Sequence, residues 1–177
     1  MQDPLQLMIS TGKSRSFSKY EFLIHSGEVS KNIYYIKEGV IRHFVNDSEG
    51  NEKTIRISKE NDFFYSSIVS YFREEPTYIN CQAMTDTYVI FWEKEQIEAL
   101  MESNEMLRSY QYKQLVNFII EKHNKELSLL TKTSIERLME FNESNISLFN
   151  RIPHHVIASY LNMTPETLSR LRSQLKS

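Results

Sequence analysis

The sequence is short of the residues that most often carry chemistry. It contains one cysteine, Cys81, so no disulfide closes within the chain and one subunit cannot supply the ligands of a cysteine-bound iron–sulfur cluster. No apolar run reaches the roughly 20 residues of a membrane span, and the start Met1-Gln2-Asp3-Pro4 lacks the basic-then-apolar order of a signal peptide. The expectation is a cytoplasmic protein with no membrane partner. The five histidines, His25, His43, His123, His154 and His155, show no metal-ligand spacing, and adjacent His154 and His155 fall on different helix faces. No glycine-rich phosphate loop and no Ser, Cys or carboxylate nucleophile motif is present, so the chain reads as a non-enzyme that needs neither metal nor cofactor.

What remains is an ordinary globular composition, 177 residues with 40% hydrophobic and 25% charged, long enough for two modest domains. The net charge is -2, yet it is unevenly placed. From Arg151 onward the only acidic residue is Glu166, against Arg151, Arg170, Arg172 and Lys176.

Over residues 22–92, β-branched and aromatic residues gather in short runs, at 22–24, 33–36, 40–45, 54–57, 78–84 and 88–92. Gly27, Gly39 and Gly50 fall between or beside them, and the polar stretch 46–51 reads as a hairpin loop. This is the rhythm of a compact all-β barrel or sandwich. The period then lengthens: Ile97, Leu100 and Met101 mark one helix, and apolar residues from Leu107 onward mark a longer one over about residues 104–127. A helix of about 20 residues is about 30 Å long, more than a small β domain needs for closure. Its stripe of Leu107, Tyr110, Leu115, Phe118 and Ile119 either packs on the chain's own β unit or pairs with a second copy.

Thr133-Ser134-Ile135-Glu136 is a capping-box pattern that starts a further helix, with Ile135, Leu138, Met139 and Phe141 as its apolar side and residues 142–145 as a polar exit. The chain thus divides into residues 1–130 and 131–177. In the second part, Pro153 opens a short helix with Val156, Ile157, Tyr160 and Leu161 on one side, and Asn162-Met163 turns the chain. Thr164 then offers an N-cap hydroxyl and Pro165 a first-turn proline, while Leu168, Leu171 and Leu175 form the inner face of a second helix. Two short helices joined by about three residues make a helix-turn-helix. The polar side of the second helix, Glu166, Thr167, Ser169, Arg170 and Ser173, carries the donors and acceptors that major-groove reading requires, with Arg172 and Lys176 beside it for phosphates.

A β unit with Gly27 and Gly39, a long helix and a terminal helix-turn-helix resemble, in that order, the Crp/Fnr family of bacterial regulators. The most specific stretch runs from Ile157 through Ala158 and Glu166-Thr167-Leu168-Ser169-Arg170, similar to the family signature of an alanine, a turn, and Glu-Thr-apolar-Ser-Arg. The resemblance implies an α+β fold: an N-terminal jelly-roll-like barrel, a long dimerisation helix and a C-terminal helix-turn-helix. It implies a transcription regulator that binds double-stranded DNA at a palindromic site as a homodimer, with RNA polymerase as a further partner. By position, Glu166, Ser169 and Arg170 face base edges, Thr167 supports a backbone contact, and Ala158 lets the two helices approach. Pro165 departs from the polar or basic residue of many relatives, and the family's β-hairpin wing is expected to be missing.

The resemblance also implies a phosphate-binding Gly-Glu pair and a following Arg, where this sequence has Tyr65, Ser66 and Thr77. A tyrosine does not let backbone amides close on a phosphate as glycine does, and neutral threonine does not pair with its charge. Cyclic AMP is therefore not the expected effector. Tyr65, Ser66, Ser67, Thr77, Tyr78 and Asn80 either line a pocket for a different small molecule or belong to one filled by its own side chains. The alternative function is a signalling or partner-binding module that has lost DNA specificity.

Overall fold

The computed structural model describes residues 3–65 and 67–175. Ser66 and Lys176, both among the candidate site residues, lie outside the described residues. The chain opens with helix α1 (Pro4–Thr11), capped by the Asp3 carboxylate, which accepts the Leu5 N–H. Six strands follow: β1 (Lys13–Phe17), β2 (Phe22–Ile24), β3 (Asn32–Glu38), β4 (Ile41–Asn46), β5 (Glu52–Ser58) and β6 (Phe63–Tyr65). Helix α2 (Ile68–Arg73) then leads to β7 (Asn80–Ala83) and β8 (Thr87–Glu93). The strands form two antiparallel four-stranded sheets, in the orders β1-β8-β3-β6 and β2-β7-β4-β5. Tyr34, Ile36, Ile41, Phe64, Cys81 and Val89 belong to one buried cluster that draws on both sheets, the layered closure by which a jelly roll protects its edges.

All six strands read from apolar runs are present, and the 46–51 loop is the β4–β5 hairpin, with Asp47 accepting the N–H groups of Glu49 and Asn51. The apolar runs do not reveal β1, a polar strand exposed at all but Phe17, or the three-residue β6. Gly39 illustrates a requirement on the tight β3–β4 turn. Its φ is +106°, and a Cβ there would stand 2.7 Å from the Thr87 Cα.

Helix α3 (Lys94–Ser103) precedes helix α4 (Glu105–Thr131), whose 27 residues make it about 40 Å long, one turn longer than the sequence pattern suggests. Its first turns belong to the β unit. Leu107 is buried with Met8, Tyr35, Trp92 and Ile97, and Tyr110 sits edge-on to Phe63. The expected dimer stripe is therefore corrected at Leu107 and Tyr110, which face the chain's own core because α4 starts against the sheet and only later outruns it. Leu115 and Phe118 are half-buried, and Ile119 is exposed.

The C-terminal part comprises α5 (Ser134–Asn145), a 3-10 turn (Ile146–Asn150), α6 (His154–Tyr160) and α7 (Pro165–Gln174). The Thr133–Glu136 capping box is formed in full. Leu138, Phe141, Phe149, Val156, Ile157, Leu168 and Leu171 make a second core. Two residues expected in it stand outside. Met139 is about half exposed, one helical step of 100° away from Leu138, and Leu175 lies past the last turn of α7, where no core remains to cover it.

Val40 and Met84 of the β unit complete this second core, so the helical part is docked on the sheet. Around the apolar contact, the Arg151 guanidinium donates to both Glu60 carboxylate oxygens at 2.9 and 2.5 Å, and Gly39 N–H donates to Glu60 at 2.8 Å. The hydrogen bond from Arg151 is the main reason the Glu60 carboxyl titrates at about 2 rather than 4.5. Because the folded value is the depressed one, the pair contributes its full stability above pH 4.5 and loses it as pH falls toward 2. Glu60→Gln is expected to lower the thermal midpoint at neutral pH by a few degrees and to weaken the acid-induced loss between those two values, measured by thermal melts across pH. An unchanged acid profile would show that the pair does not hold the two parts together.

Candidate nucleic-acid interface and effector cavity

Pro153 caps α6 with a residue that has no amide to satisfy, and Ala158, fully buried, lets the turn close: its carbonyl accepts the Met163 N–H at 3.0 Å. Asn162 takes the left-handed conformation, φ +53°, that the turn needs. The carbonyls at the end of α6 would otherwise be orphans. Arg137, itself 8% exposed, donates to those of Leu161 and Asn162, and Lys125 from α4 donates to that of Tyr160 at 2.5 Å while lying over its ring. Burial, and then the nearby Arg137 charge, push the Lys125 ammonium down to about 8. Two cations from two other helices thus fix where the turn sits.

Thr164 caps α7, its hydroxyl accepting the Thr167 N–H at 3.2 Å. With Leu168 and Leu171 in the core, Glu166, Ser169, Arg170 and Ser173 face solvent, and Thr167 is half-buried beside Thr164. Ser173 donates back to the Ser169 carbonyl. The Glu166 carboxyl is held below its ordinary range by its own backbone N–H and by the Thr164 hydroxyl, so it is an anionic acceptor. Arg170 engages no other described residue through a hydrogen bond or ion pair. Arg172 differs: its guanidinium lies 3.9 Å from the Phe149 ring centroid and 3.2 Å from His154 Nε2, so it serves the helical core.

A second feature lies between the β unit and α4, a cavity of about 360 Å³. Of the expected lining residues it contains Tyr65 and Ser67. Thr77, Tyr78 and Asn80 are corrected: none reaches it. Thr77 is buried with its hydroxyl accepting the Ile79 N–H, Asn80 accepts the Ser26 N–H, and Tyr78 is 84% exposed. The polar groups of Thr77 and Asn80 satisfy neighbouring backbone instead. The sequence reading missed His43, Arg56 and Lys122, together with apolar walls from Ile55, Val69 and Phe118.

Arg56 is the dominant group. Its Nη2 donates to the Phe63 carbonyl and to Glu121, both at 3.3 Å, and its plane lies over the Phe118 ring. Its buried Nη1 has no hydrogen-bond partner among the described residues. His43, fully buried between Ser58 and Cys81, is pushed well below 6.5 by burial and then by the Arg56 and Lys122 charges, so it is neutral. Burial pushes the Cys81 thiol to about 12, which leaves it inert.

Residues 14–104, the β unit through α3, match the family described as the cyclic nucleotide-binding domain. The chain belongs to that family. Its fold extends over the whole chain to solved Crp/Fnr regulators. FixK2 from Bradyrhizobium japonicum superposes with a TM-score of 0.80 at 20% identity, covering 93% of this chain and 84% of that one. A CooA mutant from Carboxydothermus hydrogenoformans gives 0.72 at 19% identity (96% and 78%), and the Thermus thermophilus catabolite activator protein gives 0.61 at 20% (99% and 84%). A comparison with curated protein sequences gives no match.

The cavity departs from the glycine and following arginine that the resemblance implies. Tyr65, where the resemblance implies glycine, wedges its ring against Tyr71, Phe72 and Phe118, and its hydroxyl accepts from Gln111 at 2.9 Å. Ile55, Ile68, Val69 and Ile79 give the cavity an apolar wall. Calorimetric titration of the purified protein with millimolar cyclic AMP is expected to give no saturable heat. Micromolar binding would overturn this reading of the cavity.

Proposed function

We propose that this protein is a sequence-specific DNA-binding transcription regulator that acts as a symmetric dimer on a palindromic operator, with the cavity between the β unit and α4 as its effector site. The observation that carries the reading is the division of α7. Leu168 and Leu171 lock one face into the core, while Glu166, Ser169 and Arg170 stand clear at the N-terminal half, the part of a recognition helix that meets base edges. Arg170 offers a bidentate pair of donors to guanine, and ionised Glu166 an acceptor for the cytosine amino group.

Dimerisation is supported by an exposed line on α4, whose middle residue, Ile119, also borders the cavity. Tyr112, Ile119 and Leu130 are 68%, 55% and 76% exposed, and at 100° per residue they fall on one line about 27 Å long, flanked by Ile120 and Leu127. An apolar line of that length on a soluble helix is suited to pairing with its own copy across a two-fold axis. Pairing also compensates for the few phosphate contacts available, since Arg172 is engaged with Phe149 and His154.

Arg170→Ala is expected to weaken binding to an operator selected from genomic fragments by about 5- to 150-fold in a gel shift, the loss of one base-reading arginine. Discrimination should relax at one base pair per half-site. Unchanged affinity would remove Arg170 from the interface. Leu130→Glu, on the same line but outside the cavity lining, is expected to convert the dimer to a monomer in sedimentation velocity at micromolar concentration and to lose operator binding with it. A wild-type chain that sediments as a monomer would exclude the dimer.

A further inference from the structure

We propose that the cavity between β5, α2 and α4 takes a small organic carboxylate with a compact apolar body, its charge held between Arg56 and Lys122. This rests on the reading of the cavity as the regulator's effector site and names the chemical class of the effector.

Among the described residues, the lining contains two cations and no acidic side chain. Arg56 comes from β5 and Lys122 from the facing side of α4, and Lys122 forms no ion pair with any described residue; its ammonium only approaches the Phe118 ring, at 5.6 Å. Arg56 Nη1 is buried without a hydrogen-bond partner among the described residues. A buried donor left unmade is costly, and a guanidinium of which one nitrogen is free offers directional hydrogen bonding to a carboxylate. Burial, and then repulsion from Arg56, hold the Lys122 ammonium below its ordinary value, with only partial compensation from Glu121, which already pairs with Arg56.

Most of the remaining wall, Ile55, Ile68, Val69, Ile79, Phe118 and Ile119, asks for hydrocarbon, with His43, Tyr65 and Ser67 as its polar residues. The volume of about 360 Å³ is at the small end of ligand pockets, which run from ~300 to ~1,000 Å³, so the body is compact. A carboxylate drawing Arg56 and Lys122 together bridges β5 to α4. Lys122 is followed one turn later by neither a hinge nor a break but by Lys125, which holds the end of α6, so α4 links the cavity to the helix-turn-helix.

The test is calorimetric titration of the full chain with hydrocinnamate and with its amide, hydrocinnamamide, the same shape without the charge. Saturable one-to-one binding of the acid is expected, with the amide at least about tenfold weaker. Lys122→Met and Arg56→Lys, each checked for an unaltered circular dichroism spectrum, are expected to lower affinity for the acid several-fold and leave that for the amide unchanged. Absence of saturable heat with millimolar hydrocinnamate, equal binding of acid and amide, or full affinity in both variants would overturn the proposal. The titration uses no DNA, so a protein that binds the acid but no operator refutes the regulator reading alone, and the converse refutes this one alone.

Discussion

The structure turns on one irregularity in an edge strand. β5 lies at the end of its sheet and pairs with β4 through a bulge: His43 faces Arg56 and Phe44 faces Thr54, which leaves Ile55 as the extra residue. In a regular strand, neighbouring side chains alternate between faces. Here Ile55 and Arg56 line the same cavity. The outer edge of the strand is a row of backbone groups that needs a partner, and α6 supplies one, since Ser159 Oγ accepts the Thr54 N–H at 2.9 Å. One strand therefore carries the charged group of the cavity and the seat of the helix-turn-helix.

Around that strand the two parts of the chain are joined by complementary means. Val40 and Met84 reach into the helical core, so separation would expose apolar surface on both sides. Buried cations then set the angle. Arg137 and Lys125 hold three consecutive carbonyls, those of Tyr160, Leu161 and Asn162. The orientation of α7 is thus referred to α4 and α5 as much as to α6. Movement of α4 relative to the sheet would move α7 with it, which in the proposed regulator gives a physical route between the cavity and the helix-turn-helix without a separate hinge.

At about 20% identity, this chain shares its fold with the solved structures it superposes on. Tyr65 fills the space beside α2 and α4 with an aromatic cluster, and the charge in the cavity comes from β5 and α4. A fold of this kind is maintained by the pattern of buried residues, and its site is free to vary as long as Phe64, Val89 and their neighbours stay buried.

Much of the molecule was legible along the chain because the signals are local. Strands appeared where β-branched and aromatic residues clustered, the capping box at Thr133 and the Thr164-Pro165 start marked two helices, and the spacing of Leu168 and Leu171 left Arg170 outside. The polar edge strand β1 and the three-residue β6 lacked such signals, since their pairing partners lie far away in sequence. The apolar residues of α4 were visible, but not their allotment: Leu107 and Ile119 look alike in a helical pattern, and only the position of the sheet sends the first inward and leaves the second in solvent. The cavity depended most on tertiary structure. Arg56 and Lys122 are distant in sequence, and the bulge that turns Arg56 into the same space as Ile55 is a property of pairing between strands. The sequence by itself determined most of the longer elements and the outward face of α7, because periodicity and capping act within a few residues. Tertiary structure decided which charges were left without partners, because that depends on what the fold brings beside them.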